Sequence, residues 1–341
     1  MERVRLVDVA SAAGVHPGTA SRALNPDTRD GVSKQTVRRV EQAAKQLGYV
    51  PNSMARGLRT SRTMVVALVV PDITNPLFPP IVRGAEQVLS AAGYTLVLTD
   101  TNNDAASERE QVRALRGRGV DGFIIATARW EDQTLDELAE AGVPTVLVNR
   151  RNRAGDFPFV GTDDRHGVRL CVEELADLGH HSILHLAGPP NTSTAADRAE
   201  AFAQVAAARG LSEVHTMSAD AFSEEAGEAA IIQALRQELS FTAIVAASDV
   251  LALGAQSALT SRGLHCPEDV SVTGYNDVDY VRKLTPPLTS VRVPLRFEGE
   301  LAAETLLGLL DGKTSAPTQL LLPVELMRRG TTGPARPRPG F

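Results

Sequence analysis

The stretch LVDVASAAGVHPGTASRAL, residues 6–24, determines the fold of the N-terminal part of the chain. Four of its apolar residues follow the i, i+3, i+4, i+7 spacing of one helix face: Leu6, Val9, Ala10 and Ala13. Gly14 breaks this helix, and Pro17 suits the first position of a second helix because proline has no amide hydrogen to leave unpaired. Two short helices joined by a tight turn that contains glycine predict a helix-turn-helix unit.

A third helix is predicted further along. Ser33 can cap its N-terminus, and Gly48 is placed to end it. Its apolar stripe consists of Val37, Val40, Ala44 and Leu47. We therefore expect residues 1–50 to form a small all-α helix-turn-helix headpiece. Residues 51–62 contain few large apolar side chains and are expected to be a hinge, too short to be a stable helix alone.

From residue 63 onward, apolar strand-like runs such as MVVALVV at 64–70 alternate with amphipathic helical stretches. Continuous apolar strands with helical crossovers predict parallel sheets that are covered on both faces. These units are too many for one small sheet, so residues 63–333 are expected to form an α/β domain of two lobes with a cleft between them. Ligands in such folds bind beyond the carboxyl ends of the strands. Residues 334–341, rich in Pro and Arg, are expected to be a disordered tail.

The net charge of −6 is unevenly distributed along the chain. Residues 1–62 contain 11 Lys and Arg against 5 Asp and Glu, whereas the rest of the chain contains 24 against 36. A basic N-terminal part on an acidic body indicates that only the N-terminal part approaches a polyanion such as DNA. Only two cysteines, no apolar run long enough for a bilayer and no signal-peptide pattern predict a cytoplasmic protein without a disulfide scaffold.

Several motifs resemble those of the LacI/GalR (lactose-repressor) family. In the N-terminal part they are VDVA at 7–10, AGV at 13–15, TASRALN at 19–25, LGYVPN at 47–52 and MARGLRT at 54–60. Further along they are DITNPLF at 72–78, LGH at 178–180, SDVLALG at 248–254, PEDVSV at 267–272 and TPPLT at 285–289. The resemblance covers nearly the whole chain. It implies a DNA-binding repressor whose two-lobed domain is periplasmic-binding-protein-like and holds a small-molecule effector such as a sugar.

The same resemblance implies that the second helix enters the major groove of DNA. Arg22 is the expected base reader, because its planar set of donors can meet guanine O6 and N7 together. The other headpiece residues expected at the DNA are Leu6, His16, Pro17, Gly18, Thr19, Ser21 and Asn25. The sequence His16-Pro17-Gly18 departs from the longer polar side chains that are usual in the family. Direct readout is therefore expected to depend more on Arg22.

In the hinge, the resemblance implies DNA contacts by Asn52, Ala55, Leu58 and Arg59. Leu58 is expected to insert into the minor groove at the centre of the operator. One headpiece makes too few contacts for useful specificity, so a homodimer on a near-palindromic operator is expected. Nothing near the C-terminus resembles a leucine heptad, so a tetramer formed through such a helix is not expected.

For the effector cleft, the resemblance implies a set of polar residues with aromatic faces, which suits a polyol. From the first lobe these are Asp72, Asn75, Phe78 and Asn149, and from the second Arg198, Phe222, Ser248, Asp249 and Asn276. Asn149 and Asn276 stand where the family often has aspartate, which favours an effector richer in acceptors or mildly anionic. Asp249 is expected either to cap the helix that follows it or to touch the effector, and Trp130 either to stack at the cleft edge or to be incidental.

Other classes of protein fit the sequence less well. The glycines of GRGVDG at 117–122 follow a predicted helix and precede a strand, the reverse of a dinucleotide-binding fingerprint, and no P-loop occurs. His180, His181 and His185 have no nearby cysteine and are expected to be solvated or capping residues rather than metal ligands. We therefore expect neither an enzyme nor a cofactor. The alternative is a periplasmic-type sugar-binding protein without DNA function, for which the headpiece would have no use.

Overall fold

The computed structural model describes residues 4–25, 28–49, 62–313 and 318–336. By its internal contacts the chain divides into two compact units, residues 1–63 and 64–341. The predicted hinge at 51–62 lies outside the described residues, apart from Arg62.

The described residues of the N-terminal unit form a bundle of three α-helices, as predicted. They are α1 (Leu6–Ala13), α2 (Pro17–Ala23) and α3 (Lys34–Leu47), with a single 3₁₀ turn at Arg29–Gly31 between the last two. The core consists of small apolar side chains: Val9, Ala10, Ala13, Ala20, Ala23, Val40, Ala43 and Ala44. Such small side chains let the three short helices approach closely.

The helix ends of this unit follow the predicted caps. Gly14 and Gly48 end α1 and α3 in the left-handed conformation, with φ of +62° and +65°. The Ser33 hydroxyl accepts a hydrogen bond from the Thr36 amide at 3.3 Å. The prediction for Leu47 was wrong: it is 39% exposed because it lies at the end of α3, and Tyr49, beyond the glycine turn, packs against the core.

The C-terminal unit contains two six-stranded sheets, one in each lobe. The first-lobe strands are β1 (Val65–Val70), β2 (Thr95–Asp100), β3 (Gly122–Ile125), β4 (Thr145–Val148), β5 (Phe159–Thr162) and β11 (Gln319–Leu322). The second-lobe strands are β6 (Ser182–Ala187), β7 (Glu213–Ser218), β8 (Ala243–Ala246), β9 (Ser271–Asn276), β10 (Thr289–Arg292) and β12 (Glu325–Met327). Their orders are β11-β5-β4-β3-β1-β2 and β12-β10-β9-β8-β6-β7. All neighbours are parallel except β12, which is antiparallel to β10.

Helices connect the strands in both lobes. The first-lobe helices are α4 (Phe78–Ala91), α5 (Ala105–Gly117), α6 (Gln133–Glu140) and α11 (Leu295–Leu310). The second-lobe helices are α7 (Asp164–Asp177), α8 (Ser193–Ala208), α9 (Glu224–Arg236) and α10 (Asp249–Ser261). Buried central strands such as β1, with the sequence VVALVV, need this helical cover on both faces. The predicted α/β domain of two lobes is therefore confirmed.

Three connections carry the chain between the lobes. They lie after β5, after β10 and after β11. After the second connection α11 packs on α4, where glycine permits very close approach of the two backbones. A Cβ added to Gly84 would lie 2.0 Å from the Arg296 carbonyl oxygen, and one added to Gly299 would lie 2.0 Å from the Ile81 carbonyl oxygen. The last helix therefore belongs to the first lobe, although β10, the strand that precedes it in sequence, belongs to the second.

The prediction of a disordered tail at 334–341 is wrong for the first residues of that range. The amide of Ala335 donates to the Leu178 carbonyl oxygen at 2.9 Å, and the Gly333 amide donates to the Ser271 hydroxyl at 3.1 Å. The segment is therefore attached to the second lobe, and residues 337–341 lie outside the described part. In the described ranges, every helix falls short of the length and apolarity that a membrane span requires.

Candidate functional site

Helix α2 has one buried face and one face turned to solvent. Ala20 and Ala23 are buried in the headpiece core, whereas Gly18 and Arg22 are exposed. Among the residues that the structure describes, no carboxylate pairs with the Arg22 guanidinium. Thr19 and Ser21 are partly exposed on the same short helix. A free guanidinium and small hydroxyl side chains on an exposed helix are suited to base edges and phosphates.

Residues at the edges of this helix have additional structural roles. The His16 ring caps α2, because its Nδ1 accepts a hydrogen bond from the Gly18 amide at 3.1 Å. Leu6 is partly buried and packs against the headpiece core, and Pro17 begins the helix. The four predicted hinge contacts lie outside the described residues: Asn52, Ala55, Leu58 and Arg59.

In the C-terminal unit, a small cavity of about 20 Å³ lies between the lobes, at the carboxyl ends of the central strands. Nine residues line it: Asn75, Leu77, Asn149, Arg150, Thr194, Arg198, Phe222, Ser248 and Asn276. Six of these are predicted effector residues, so the structure brings most of that set together. Sugar-sized sites need some hundreds of Å³. The lobes must therefore move apart before an effector can enter.

Three predicted effector residues do not line this cavity. The Asp72 carboxylate accepts hydrogen bonds from the amide and hydroxyl of Thr74 at 2.8 and 2.6 Å, closing a local turn. Phe78 begins α4 and lies in the hydrophobic core, 1% exposed. Asp249 is also 1% exposed and faces away from the cavity. Each was placed correctly near the strand ends, but its side chain serves an internal contact.

Of the two predicted roles of Asp249, the structure contradicts the capping role, and the side chain does not line the cavity. The helix that it opens is capped by the Ser248 hydroxyl, which accepts from the Leu251 amide at 3.3 Å. The Asp249 carboxylate instead accepts from the Ser290 hydroxyl at 2.5 Å and from the Val278 amide at 2.9 Å. Burial raises the pKa of this carboxyl to about 7. Asp249 therefore ties α10 to β10 and to the loop after β9.

On the second-lobe side of the cavity, three hydrogen bonds and an aromatic ring hold the Arg198 guanidinium. Its Nε and Nη2 donate to one oxygen of Asp164 at 2.9 and 2.8 Å, and its Nη1 donates to the Ala247 carbonyl oxygen at 2.5 Å. The guanidinium lies over the Tyr275 ring at 3.8 Å from the centroid. Burial raises the pKa of the Asp164 carboxyl, and Arg198 opposes this shift. The guanidinium is thus held in one position before any ligand binds.

Arg150 forms part of the opposite wall and is not among the effector residues that the sequence predicts. It is 7% exposed, and its guanidinium lies 5.5 Å from the centroid of the Phe222 ring. Its Nε has no hydrogen-bond partner among the described residues, and no carboxylate pairs with it there. Burial lowers the pKa of Arg150 to about 10, and the positive charge of Arg129 adds to the decrease. The side chain remains protonated at neutral pH.

The two asparagines that replace family aspartates lie at equivalent places in the two lobes. Asn149 follows β4 and Asn276 ends β9, and both have positive φ, +62° and +111°. Asparagine enters this region more readily than most residues. The backbone here is therefore turned so that amide side chains line the cavity from both sides.

At the rim, four described contacts join the lobes. Arg151 forms a two-point ion pair with Asp197 on α8, at 2.5 and 2.9 Å, and its amide donates to the Ser193 hydroxyl at 3.0 Å. The Trp130 amide donates to the Asn191 carbonyl oxygen at 3.2 Å. The Asn75 side-chain amide donates to the Phe222 carbonyl oxygen at 3.4 Å. These contacts hold the lobes in a closed arrangement.

Trp130 lies at this rim rather than in the cavity. The guanidinium groups of Arg151 and Arg153 lie 5.6 and 5.5 Å from its ring centroid. Of its two predicted roles, the position at the cleft edge is the one observed. Its stacking partners in the structure are arginines of its own lobe.

Two buried acidic residues lie behind the first-lobe wall. Glu298 on α11 is 1% exposed and its Oε2 has no hydrogen-bond partner among the described residues. Burial raises the pKa of this carboxyl to about 8, and Asp164 adds to the increase. Glu108 is instead paired: it accepts from Arg129 at 2.7 Å and from the Thr127 hydroxyl at 2.6 Å.

The three histidines that were weighed as metal ligands, His180, His181 and His185, do not line the cavity. His180 is buried among the Thr242 and Ser271 hydroxyls, at 2.8 and 3.1 Å, and is not solvated as predicted. His185 is buried in β6, and burial lowers its pKa to about 4. Among the described residues, no group of His, Cys, Asp and Glu could hold a metal ion.

A headpiece with an exposed helix and a two-lobed domain with a polar cleft define the class of ligand-controlled DNA-binding regulators. Comparisons with known proteins agree. Residues 5–52 match the model of bacterial regulatory proteins of the lacI family, and residues 172–332 match that of the periplasmic binding protein-like domain. An HTH-type transcriptional regulator from the aml 5′ region of Streptomyces limosus is 38% identical, with coverage of 96% of this chain and 94% of the relative.

Solved structures give the same result. The lac repressor dimer bound to operator and the anti-inducer ONPF matches with a TM-score of 0.85 and 28% identity, covering 97% of this chain and all of that one. The complex of the regulator CelR with cellobiose matches with a TM-score of 0.73 and 32% identity, covering 96% of this chain and all of that one. The chain belongs to the lacI family of bacterial regulatory proteins. It is a DNA-binding transcriptional regulator and not an enzyme.

Proposed function

We propose that this regulator is a cytoplasmic repressor that binds a near-palindromic operator as a homodimer. Residues 1–50 read the DNA, residues 51–62 form the hinge, and residues 63–333 bind the effector and dimerise. The observation that carries the proposal is the exposed Arg22 on α2, with which no carboxylate of the described residues pairs, in a chain that also contains an arginine-lined cleft. A lone guanidinium on such a helix is suited to guanine.

The effector is a sugar or sugar derivative bound between the lobes. The cavity is lined by amide, hydroxyl and guanidinium groups with one aromatic ring, the combination that suits a polyol. The structural relative CelR is described in complex with cellobiose. Effector binding changes the separation of the lobes, which alters the spacing of the two hinges in the dimer and hence operator affinity. The size of this effect is limited by the difference in effector affinity between the two forms.

The test uses the full-length protein and fragments of the source genome. Fragments captured by the protein are sequenced to find the operator, and affinities are then measured by fluorescence titration. Arg22→Ala is expected to weaken operator binding roughly 10- to 100-fold, from about 1–3 kcal/mol, while salt-sensitive binding to unrelated DNA remains.

The matched control is Arg39→Ala, which removes an exposed arginine from α3 in the same unit. It should weaken binding to operator and unrelated DNA equally. A chain that ignores all fragments, or an Arg22 variant with unchanged preference for the operator, contradicts the proposal. Titration of the complex with a panel of sugars then gives the sign of the effector response.

A further inference from the structure

Arg150 is a buried cation of the cleft, and among the described residues no carboxylate is bonded to it. Arg198 is bonded to Asp164, and Arg129 is bonded to Glu108. Arg150 is more than nine-tenths buried and lines the cavity, and its guanidinium lies over the Phe222 ring at 5.5 Å from the centroid. A buried charge without a partner is costly, and proteins retain one where a ligand completes it.

One positive charge in the cavity wall has no acid bonded to it among the described residues. The nine lining residues include two arginines and no carboxylate. Asp164 neutralises Arg198, and Glu298 is mostly protonated because its pKa is about 8. The positive charge of Arg150 is what remains.

We propose that the effector is a polyhydroxy monocarboxylate, such as a sugar acid, whose carboxylate binds the guanidinium of Arg150. The proposal rests on the proposed function of the cleft and specifies its ligand. A guanidinium meets a carboxylate through two parallel hydrogen bonds, and its contact with the face of an aromatic ring does not use the N–H donors that form them. One uncompensated positive charge matches one carboxylate. A phosphate monoester, with a charge of about −1.5 to −2, would exceed it.

The remaining lining groups recognise the hydroxyls of the same ligand. Side-chain amides of Asn75, Asn149 and Asn276 offer both donors and acceptors, and Thr194 and Ser248 add hydroxyls. Arg198, fixed by its own partners, offers its remaining donors to neutral oxygens. The two arginines are thus assigned to different parts of one ligand.

The experiment compares matched pairs of neutral sugars and their acids on the full-length protein at pH 7. The pairs are glucose and glucuronate, galactose and galacturonate, glucose and gluconate, and ribose and ribonate, with glucose 6-phosphate as the phosphate arm. Binding is measured by calorimetry and by the change in operator affinity. At least one acid is expected to bind about tenfold or more tightly than its neutral partner, a difference of about 1.4 kcal/mol.

Arg150→Gln should weaken binding of that acid by about tenfold or more and abolish its advantage over the neutral sugar. Arg153→Gln removes an exposed arginine three residues away and should leave the advantage intact. A neutral sugar or the phosphate as the preferred ligand, or an Arg150 variant that keeps the preference for acids, overturns this inference while the proposed function stands. If no compound binds or changes operator affinity, the effector part of the proposed function fails too.

Discussion

Arg198 and Arg150 line the same cavity, but the protein provides their guanidinium groups with very different bonding partners. On the second-lobe wall, Arg198 has a carboxylate, a carbonyl oxygen and an aromatic face as partners. On the first-lobe wall, Arg150 has an aromatic face and an Nε without a partner among the described residues. The second-lobe wall is therefore preorganised, whereas the first-lobe wall is completed by what binds. Three measurements test whether the two walls differ in this way.

The largest effect is expected from removing each arginine in the absence of effector. Arg198→Met leaves the Asp164 carboxylate buried and unpaired, and is expected to lower the free energy of unfolding by about 3–5 kcal/mol. Arg150→Met removes a buried charge that has no acid partner, so its effect should lie within about 1 kcal/mol of zero or be stabilising. Urea denaturation of both variants tests this, and equal losses would contradict the comparison.

A smaller effect is expected from Glu298, whose carboxyl lies behind the first-lobe wall. Its pKa is raised from about 4.5 to about 8 by burial, so the unfolded chain releases this proton at lower pH than the folded chain. Stability contributed by this group therefore falls as pH rises from about 4.5 to about 8. Glu298→Gln should match the wild type near pH 5 and exceed its stability at pH 8 by about 1.4 kcal/mol or more.

Thermal unfolding at the two pH values measures this difference. The control is Glu304→Gln, an exposed glutamate on the same helix, which should show no such gain at pH 8. The carboxyls of Asp164 and Asp249 also have raised pKa values, and the exposed Glu304→Gln variant keeps both of these contributions as in the wild type. If the stability of Glu298→Gln had the same pH dependence as that of the wild type, Glu298 would not be an unsatisfied buried acid on the first-lobe side.

The smallest effect is expected at the rim, where the two walls are joined by Arg151 and Asp197. Their side chains are 29% and 15% exposed, and the pair is bonded at two points. A double-mutant cycle with Arg151→Gln and Asp197→Asn should give a coupling energy of roughly 1 kcal/mol by chemical denaturation. The exposed pair Arg165 and Glu200 serves as the reference and should give a coupling near zero. If the effects of the two rim mutations on the free energy of unfolding were additive, this ion pair would not hold the lobes together.

The headpiece could be predicted from sequence almost residue by residue because its signals are local. Amphipathic spacing, a serine cap and two glycine stops fix α1 and α3 without knowledge of the rest of the chain. Five strands of the second unit were not predicted: β5, β7, β10, β11 and β12. The last two are short and pair only with strands far away in sequence, so no local pattern marks them.

The candidate site shows the same limit. The family resemblance placed Asp72, Phe78 and Asp249 near the cleft, but a local turn, the core and a cross-strand tie occupy their side chains. Arg150 and Arg151 are adjacent and chemically identical in sequence. One lines the cavity and the other joins the rim, and only the direction of the chain after β4 separates these roles.

The rim contacts also have a consequence for timing. A cavity of about 20 Å³ behind closed lobes admits no sugar, so capture must wait until the Arg151–Asp197 pair and its neighbours break. We expect the observed rate of effector capture to level off at high effector concentration, at the rate with which the rim contacts break and the lobes open. The same opening step limits the rate at which bound effector is released. A gene controlled by this protein would then remain in its altered state for a time after the external supply of effector has gone.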